Sequence, residues 1–174
     1  MDLQLNNKKV FVSGSTAGIG YAIAKAFAAE GATVYINGRN AEKVNEVLPA
    51  IISATGNNNV YGIAADLATE QGFEQLTSEL PEVDILINNL GLFEPVSFFE
   101  SEDADWTKLF GINVMSGVRL SRFFMPKMLR KNWGRIVFIS SESGLQIPTE
   151  MIHYGMSKTA QLSLTNGLAQ LTKG

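Results

Sequence analysis

Apolar residues in this chain gather into short runs that stop at glycine or polar groups, and a longer stretch with helical spacing follows most of them. The first run covers residues 8–13 and ends at a glycine cluster, with an alanine-rich helical stretch over 21–30 behind it. A second run at 33–37 precedes a helix over 41–54, and a third at 60–64 precedes a helix over 69–79. Runs at 84–88 and 135–139 complete the set, separated by the longest helical pattern, 102–131. Strands that are apolar on both faces and alternate with helices predict an α/β fold, a doubly wound parallel sheet with helices on both faces. Neither a low-complexity linker nor a short repeat interrupts the pattern, so residues 1–174 are expected to form a single domain.

Two helices carry patterns of their own. Trp106, Phe110, Asn113, Gly117, Leu120 and Phe124 form one stripe on the long helix, and all but Asn113 suit burial. A buried Asn must find partners or lower stability, so Asn113 is read as a satisfied core polar group or part of a site, with the first favoured from the residues alone. Pro126 is expected to kink this helix near its end. On the last helix, Gly155, Thr159, Ser163 and Gly167 place small residues at every fourth position, which suits packing on the sheet or the close approach of a partner subunit.

In an open parallel sheet, ligands bind beyond the carboxyl ends of the strands, where the strand order reverses. Here those ends carry Gly14, Ser15, Thr16, Gly18, Ile19 and Gly20, then Gly38-Arg39, Asp66, Asn88-Asn89-Leu90-Gly91 and Ser140-Ser141. Glycines between a strand and a helix let backbone approach a pyrophosphate at the positive helix terminus. Sites for NAD tend to place an acid at the end of the second strand. Gly38 followed by the guanidinium of Arg39 suits the 2'-phosphate of NADP instead, so NADP(H) is expected ahead of NAD(H). Asp66 either receives an adenine amino group or caps the next helix.

The fifth strand leads to Tyr154 and Lys158, four residues apart and therefore on one helix face. A free phenol ionises near pH 10, so one that works at neutral pH needs its phenolate stabilised by about 4 kcal/mol. A neighbouring ammonium supplies part of that.

Composition narrows the classes further. A formal net charge of -3 without basic runs argues against nucleic acid. The absence of cysteine excludes disulfides and thiolate metal sites, and a single histidine, His153, excludes a multi-histidine zinc centre, so no metal site is expected. His153 is expected at the surface; with Ile147 and Met151 it is also a candidate for the mouth of a substrate pocket. The start at Met1 lacks a basic leader, and no apolar run reaches membrane-spanning length; a cytoplasmic protein without a membrane partner is expected.

Taken together, Gly14, Gly18, Gly20, the Asn88-Asn89-Leu90-Gly91 turn, Asn113, Ser141, Tyr154 and Lys158 resemble the short-chain dehydrogenase/reductase family in order and spacing, from about residue 8 onward. The resemblance implies a Rossmann-like domain and an oxidoreductase that moves hydride between NADP(H) and a carbonyl or alcohol. By that resemblance Tyr154 is the general acid and base, and Lys158 lowers its pKa and holds the nicotinamide ribose. Ser141 hydrogen-bonds the substrate carbonyl, with Ser140 and Ser143 less suited to it, and the Asn113 backbone holds a water that relays protons to Lys158. Asn89 and Gly91 line the cofactor cleft, and Asp66 with Leu67 lies at the adenine.

Ser13 and Leu90 depart from the family's usual Thr and Ala, and the glycine loop lacks the basic residue that some NADP-dependent members carry. Members also continue with two more strands, so a C-terminally truncated domain with an exposed apolar edge at 136–139 is expected. The alternative expectation is a catalytically silent nucleotide-binding or assembly module. A homodimer or homotetramer through the helices around 102–131 and 151–172 is expected in either case.

Overall fold

The computed structural model describes residues 3–172. The leader reading at Met1 and Asp2 and the chain end at Lys173 and Gly174 lie outside the described residues. In order come β1 (Lys9–Val12), α1 (Gly18–Ala29), β2 (Thr33–Gly38), α2 (Ala41–Thr55), β3 (Val60–Ala64), α3 (Glu70–Glu79) and β4 (Ile85–Asn88). Then follow α4 (Asp103–Phe110), a π turn (Gly111–Met115), α5 (Ser116–Arg130), β5 (Arg135–Phe138) and α6 (Ile152–Gln170).

All strand pairs are parallel, in the order β3-β2-β1-β4-β5. The chain therefore builds outward in opposite directions from the β1–β4 pair, and the crevice at their carboxyl ends is the switch point. Alternation along the strands divides the core. Val10, Val12, Val34, Ile36, Ile85 and Ile87 pack with Ala24, Ala28, Val44 and Ile51 of α1 and α2. Phe11 and Leu86 turn to the other face, toward Leu76 of α3 and Leu120, Phe124 and Met128 of α5. A strand buried on both sides needs apolar residues at consecutive positions, which is why these runs lack a polar alternate.

Local chemistry sets the boundaries. Asn40 and Thr69 cap α2 and α3 through side-chain oxygens that accept from Lys43 N–H and Gly72 N–H. Gly56 closes α2 in the left-handed region, at φ 71°. β5 forms a sheet edge with Val137 exposed, and an open groove of about 360 Å³ bordered by Met125, Met128, Phe138 and Leu168 runs beside it.

The long helix differs from expectation. It is broken at Gly111–Met115, where Ser116 N–H reaches back to the Gly111 carbonyl and widens the turn. α5 runs past Pro126 to Arg130. Trp106 and Phe110, expected in the core, are half-buried. On α6 only Gly155 of the small-residue stripe is buried; Thr159, Ser163 and Gly167 are exposed, so they do not pack on the sheet.

Candidate active site

Polar side chains at the carboxyl ends of the strands are bonded to one another, and these bonds set the shape of the crevice. The Ser13 hydroxyl donates to the Ile87 carbonyl and accepts from Asn89 N–H and Leu90 N–H, tying the end of β1 to the turn after β4. Asn89 Nδ2 donates to the carbonyls of Ser13 and Gly14 at 3.0 and 2.8 Å. Asn37 does the same on the other side. Its Oδ1 accepts from Gly14 N–H, and its Nδ2 donates to the Ile63 and Ala65 carbonyls. Ser15 is fully buried; its hydroxyl donates to the Val12 carbonyl and accepts from Asn37 N–H, so the expected cofactor contact at Ser15 falls on a side chain already engaged within the loop.

The loop has the form that a pyrophosphate needs. Gly14 sits at φ 60° against Leu90, and Gly18 sits at φ 55° with open space where a Cβ would stand. A Cβ on Gly20 would meet the Gly14 carbonyl oxygen at 2.6 Å, so only glycine lets α1 start this close to β1. Ala17, at the N-cap of α1, offers no side-chain cap, which leaves the first N–H groups of a twelve-residue helix facing the crevice beside exposed Gly18 and Ile19.

Farther along the rim, Arg39 is exposed and Thr16 half-buried. A Cβ on Gly38 would lie 2.6 Å from Thr16 Cγ2, so an acidic residue there would require Thr16 to move. Asp66 does not cap α3, because Thr69 holds that position; Asp66 Oδ1 instead accepts from Ala68 N–H. Leu67 turns its side chain into the core, so at an adenine it has only backbone to offer.

The chemistry-bearing residues gather at the other end of the crevice. Lys158 is 5% exposed, and its Nζ lies 5.6 Å from the centre of the Tyr154 ring and donates to the Ile139 carbonyl at 2.9 Å. A Cβ on Gly91 would stand 3.6 Å from both Lys158 Nζ and Asn113 Oδ1, which puts the ammonium on the crevice floor beside that glycine. Ser141 opens the 3₁₀ turn Glu142–Gly144, where its Oγ accepts from Ser143 N–H, leaving its own proton to donate. That turn is fastened to α6: Thr159 Oγ1 donates to the Gly144 carbonyl, and Ser140 Oγ donates to the Lys158 carbonyl. Ser140 is thus occupied by the helix backbone.

Asn113 is 1% exposed and satisfied on all sides. Its side chain accepts from Leu92 N–H and donates to the Leu92 carbonyl and Ser157 Oγ. Its backbone carbonyl accepts from Gln161 Nε2 at 2.6 Å, where the resemblance implies a water. The surface position expected for His153 is wrong. That ring is 2% exposed and packs 5.7 Å from Trp106, because α4 crosses the start of α6 there. Phe93 stands edge-on to Tyr154 at 5.3 Å, and with Leu145 and Ile147 gives the crevice an exposed apolar rim. An open hollow bordered by Pro95, Ser97, Thr149 and Glu150 lies near the start of α6.

Burial without a compensating carboxylate pushes the Lys158 ammonium below the ordinary lysine value of 10.5. The unfolded chain therefore holds this proton more tightly, and between the lowered value and 10.5 the folded state gains stability as pH rises. Urea midpoints of the wild type measured from pH 7 upward should contain this rising component, and Lys158→Met should lack it. Parallel pH dependences in the two proteins would mean that the buried ammonium is not strained.

Comparison with known proteins places this geometry. The family model described as short chain dehydrogenase matches residues 8–173. The uncharacterized oxidoreductase YvaG of Bacillus subtilis (strain 168) is 47% identical over 174 residues, covering 100% of this chain and 66% of that protein. A 3-oxoacyl-[acyl-carrier-protein] reductase of Aquifex aeolicus (strain VF5) is 31% identical, covering 98% of this chain and 70% of its own length. Among solved structures, L-sorbose reductase from Gluconobacter frateurii complexed with NADPH and L-sorbose superposes with a TM-score of 0.91 at 30% identity, covering 98% of this chain and 66% of that one. The chain spans about two thirds of the length of such relatives.

Proposed function

We propose, for a chain that belongs to the short chain dehydrogenase family, that it is the catalytic region of an NADP(H)-dependent oxidoreductase acting on a small carbonyl or alcohol. The observation that carries this reading is the placement of Tyr154 and buried Lys158 on one helix face, at the end of a crevice whose other end holds the glycine loop and the uncapped start of α1. NADPH, when bound, would supply the hydride. The Tyr154 hydroxyl gives its proton to the carbonyl oxygen, or takes one from the alcohol in reverse. Ser141 donates its free proton to the same oxygen and orients it. Lys158 stabilises the phenolate through its charge and holds the nicotinamide ribose, beside Gly91 and Asn89. Gly14, Gly18, Ile19 and Gly20 approach the pyrophosphate, with Asp66 and the Leu67 backbone toward the adenine. The molecule acts in the cytoplasm; among the described residues no helix is long and apolar enough to cross a membrane. The exposed Thr159, Ser163 and Gly167 suit a homodimer or homotetramer through α6 and the α4–α5 helix.

NADPH titration followed by turnover on a panel of carbonyl compounds tests the reading. Binding with turnover is expected. Binding without turnover would favour a silent nucleotide-binding module, and failure to bind either nucleotide would overturn both readings.

Arg39 decides between the nucleotides. Its guanidinium is exposed, makes no ion pair among the described residues, and follows a glycine that leaves no acid for ribose hydroxyls. Arg39→Asp is expected to weaken NADPH about tenfold or more, the size of one lost charge-assisted contact, while NADH affinity holds or improves. Equal changes for both nucleotides would remove the basis for NADP.

A further inference from the structure

Arg119 takes no part in the reaction outlined above, yet it reaches across the fold to the turn on which the adenine reading rests. It stands half-buried in the first turn of α5, and its Nη1 donates at 3.2 Å to the carbonyl of Ala68, fifty-one residues away. Four residues on, along the same face of α5, Phe123 meets Phe73 of α3 edge-on at 6.0 Å. This face of α5 is therefore laid against the start of α3, with the aromatic pair as packing and the guanidinium as the polar contact.

Helix stability does not account for a cation here. Ala68 precedes Thr69, the N-cap of α3, and positive charge beside a helix N-terminus is unfavourable. Ion pairing does not account for it either, since Arg119 makes no salt bridge among the described residues. Ordering so long a side chain also costs rotamer freedom. What the guanidinium gains is a charge-assisted hydrogen bond to one main-chain carbonyl, in a turn whose neighbouring groups are already engaged. Ala68 N–H donates to Asp66 Oδ1 at 3.1 Å, and Thr69 donates to the Asp66 carbonyl through both its N–H and its Oγ1. A Cβ on Gly72 would stand 2.1 Å from the Asp66 carbonyl oxygen, so the first turn of α3 presses directly on Asp66. The Asp66 carboxylate is thus held by the N–H of the residue whose carbonyl Arg119 holds.

We infer that Arg119 is a positioning residue for the adenine end of the nucleotide: by fixing Ala68 it fixes the Asp66 carboxylate, and leaves Oδ2 to accept from the adenine amino group. The inference rests on the reductase reading and deepens it. The role concerns one exocyclic group at the end of the crevice away from Tyr154, so it is readable without turnover.

The test compares NADPH with its deamino analogue, in which hypoxanthine replaces adenine and a carbonyl oxygen stands where Asp66 needs an amino donor. Fluorescence titration of the wild type should show NADPH bound about tenfold more tightly, the size of one hydrogen bond to a charged group. Arg119→Met should bring that ratio down to about twofold or less, chiefly by weakening NADPH, and Arg119→Lys, which can still donate to the Ala68 carbonyl, should restore most of it. In turnover, the loss should fall in KM for NADPH rather than in kcat. A role confined to fastening α3 to α5 would lower the urea midpoint and weaken both nucleotides together, with the ratio unmoved, and that outcome overturns the proposal. If Arg119→Met does not fold, Arg119→Gln, uncharged and too short for the same carbonyl, is read in its place. A wild type that binds both nucleotides equally also overturns the proposal and leaves the reductase reading standing; a wild type that binds neither strikes both. The expected ratio without any turnover on carbonyl compounds would instead strike the reductase reading and leave Arg119 in its role.

Discussion

Replacing Tyr154 by Phe is expected to lower kcat/KM for carbonyl reduction by about 10²- to 10⁴-fold, the usual contribution of a positioned general acid. The substitution removes one oxygen and nothing else that the surroundings use. The ring keeps its edge-on contact with Phe93 at 5.3 Å, and Lys158 keeps the Ile139 carbonyl at 2.9 Å and Gln161. The fold and NADPH affinity should therefore be nearly unchanged, so the loss belongs to the chemical step. Steady-state kinetics with a fluorescence titration of NADPH separate the two quantities. Undiminished turnover would remove Tyr154 from the mechanism.

Asn37→Ala is expected to cost about 3 kcal/mol of folding stability and to weaken NADPH binding as well. The side chain of Asn37 satisfies Gly14 N–H, the Ile63 carbonyl and the Ala65 carbonyl, at 3.2, 3.1 and 3.0 Å. Alanine leaves two buried carbonyls without their donor and releases the first glycine of the loop. The methyl group fills too little space for the neighbours to recover those bonds by collapse. Urea denaturation reads the stability term, and the same NADPH titration reads the second. A change below about 1 kcal/mol would show that water replaces the amide at little cost.

Asn37 also marks a limit of what the chain discloses. Its run over 33–37 is legible as a strand because a parallel sheet demands apolar residues on both faces, but a polar residue at the strand end looks the same whether it faces solvent or braces three strands. Strand positions, the strand ends on one rim and the spacing of Tyr154 and Lys158 are all local properties, and they are readable for that reason. The π turn is not, because it depends on how Gly111–Met115 meets α6 rather than on the composition of those five residues. His153 follows the same logic: a lone histidine is most often at the surface, and only the crossing of α4 over α6 puts Trp106 against it. Gln161 could have been noticed as a polar residue one turn after Lys158 on the same face. Its burial needs the carbonyl of Asn113, forty-eight residues away, to be brought within reach.

Leu67 and Ser15 teach the complementary lesson. Both belong to motifs whose backbone can approach a nucleotide, yet their side chains are absorbed by the core and by the loop itself. A motif specifies where the main chain passes; packing decides which side chains remain available. The place of β5 at one border of the five-stranded sheet agrees with the exposed edge expected at 136–139.

The central claim is that the nicotinamide end of a nucleotide held by the glycine loop reaches Tyr154. The direct measurement is a nuclear Overhauser experiment on the NADP⁺ complex, with ring-labelled tyrosine and Tyr154→Phe to assign the signal among the four tyrosines. A cross-peak between the nicotinamide C4 proton and the Tyr154 ring is expected. Bound NADP⁺ whose nicotinamide protons contact other residues and never Tyr154 would contradict the account.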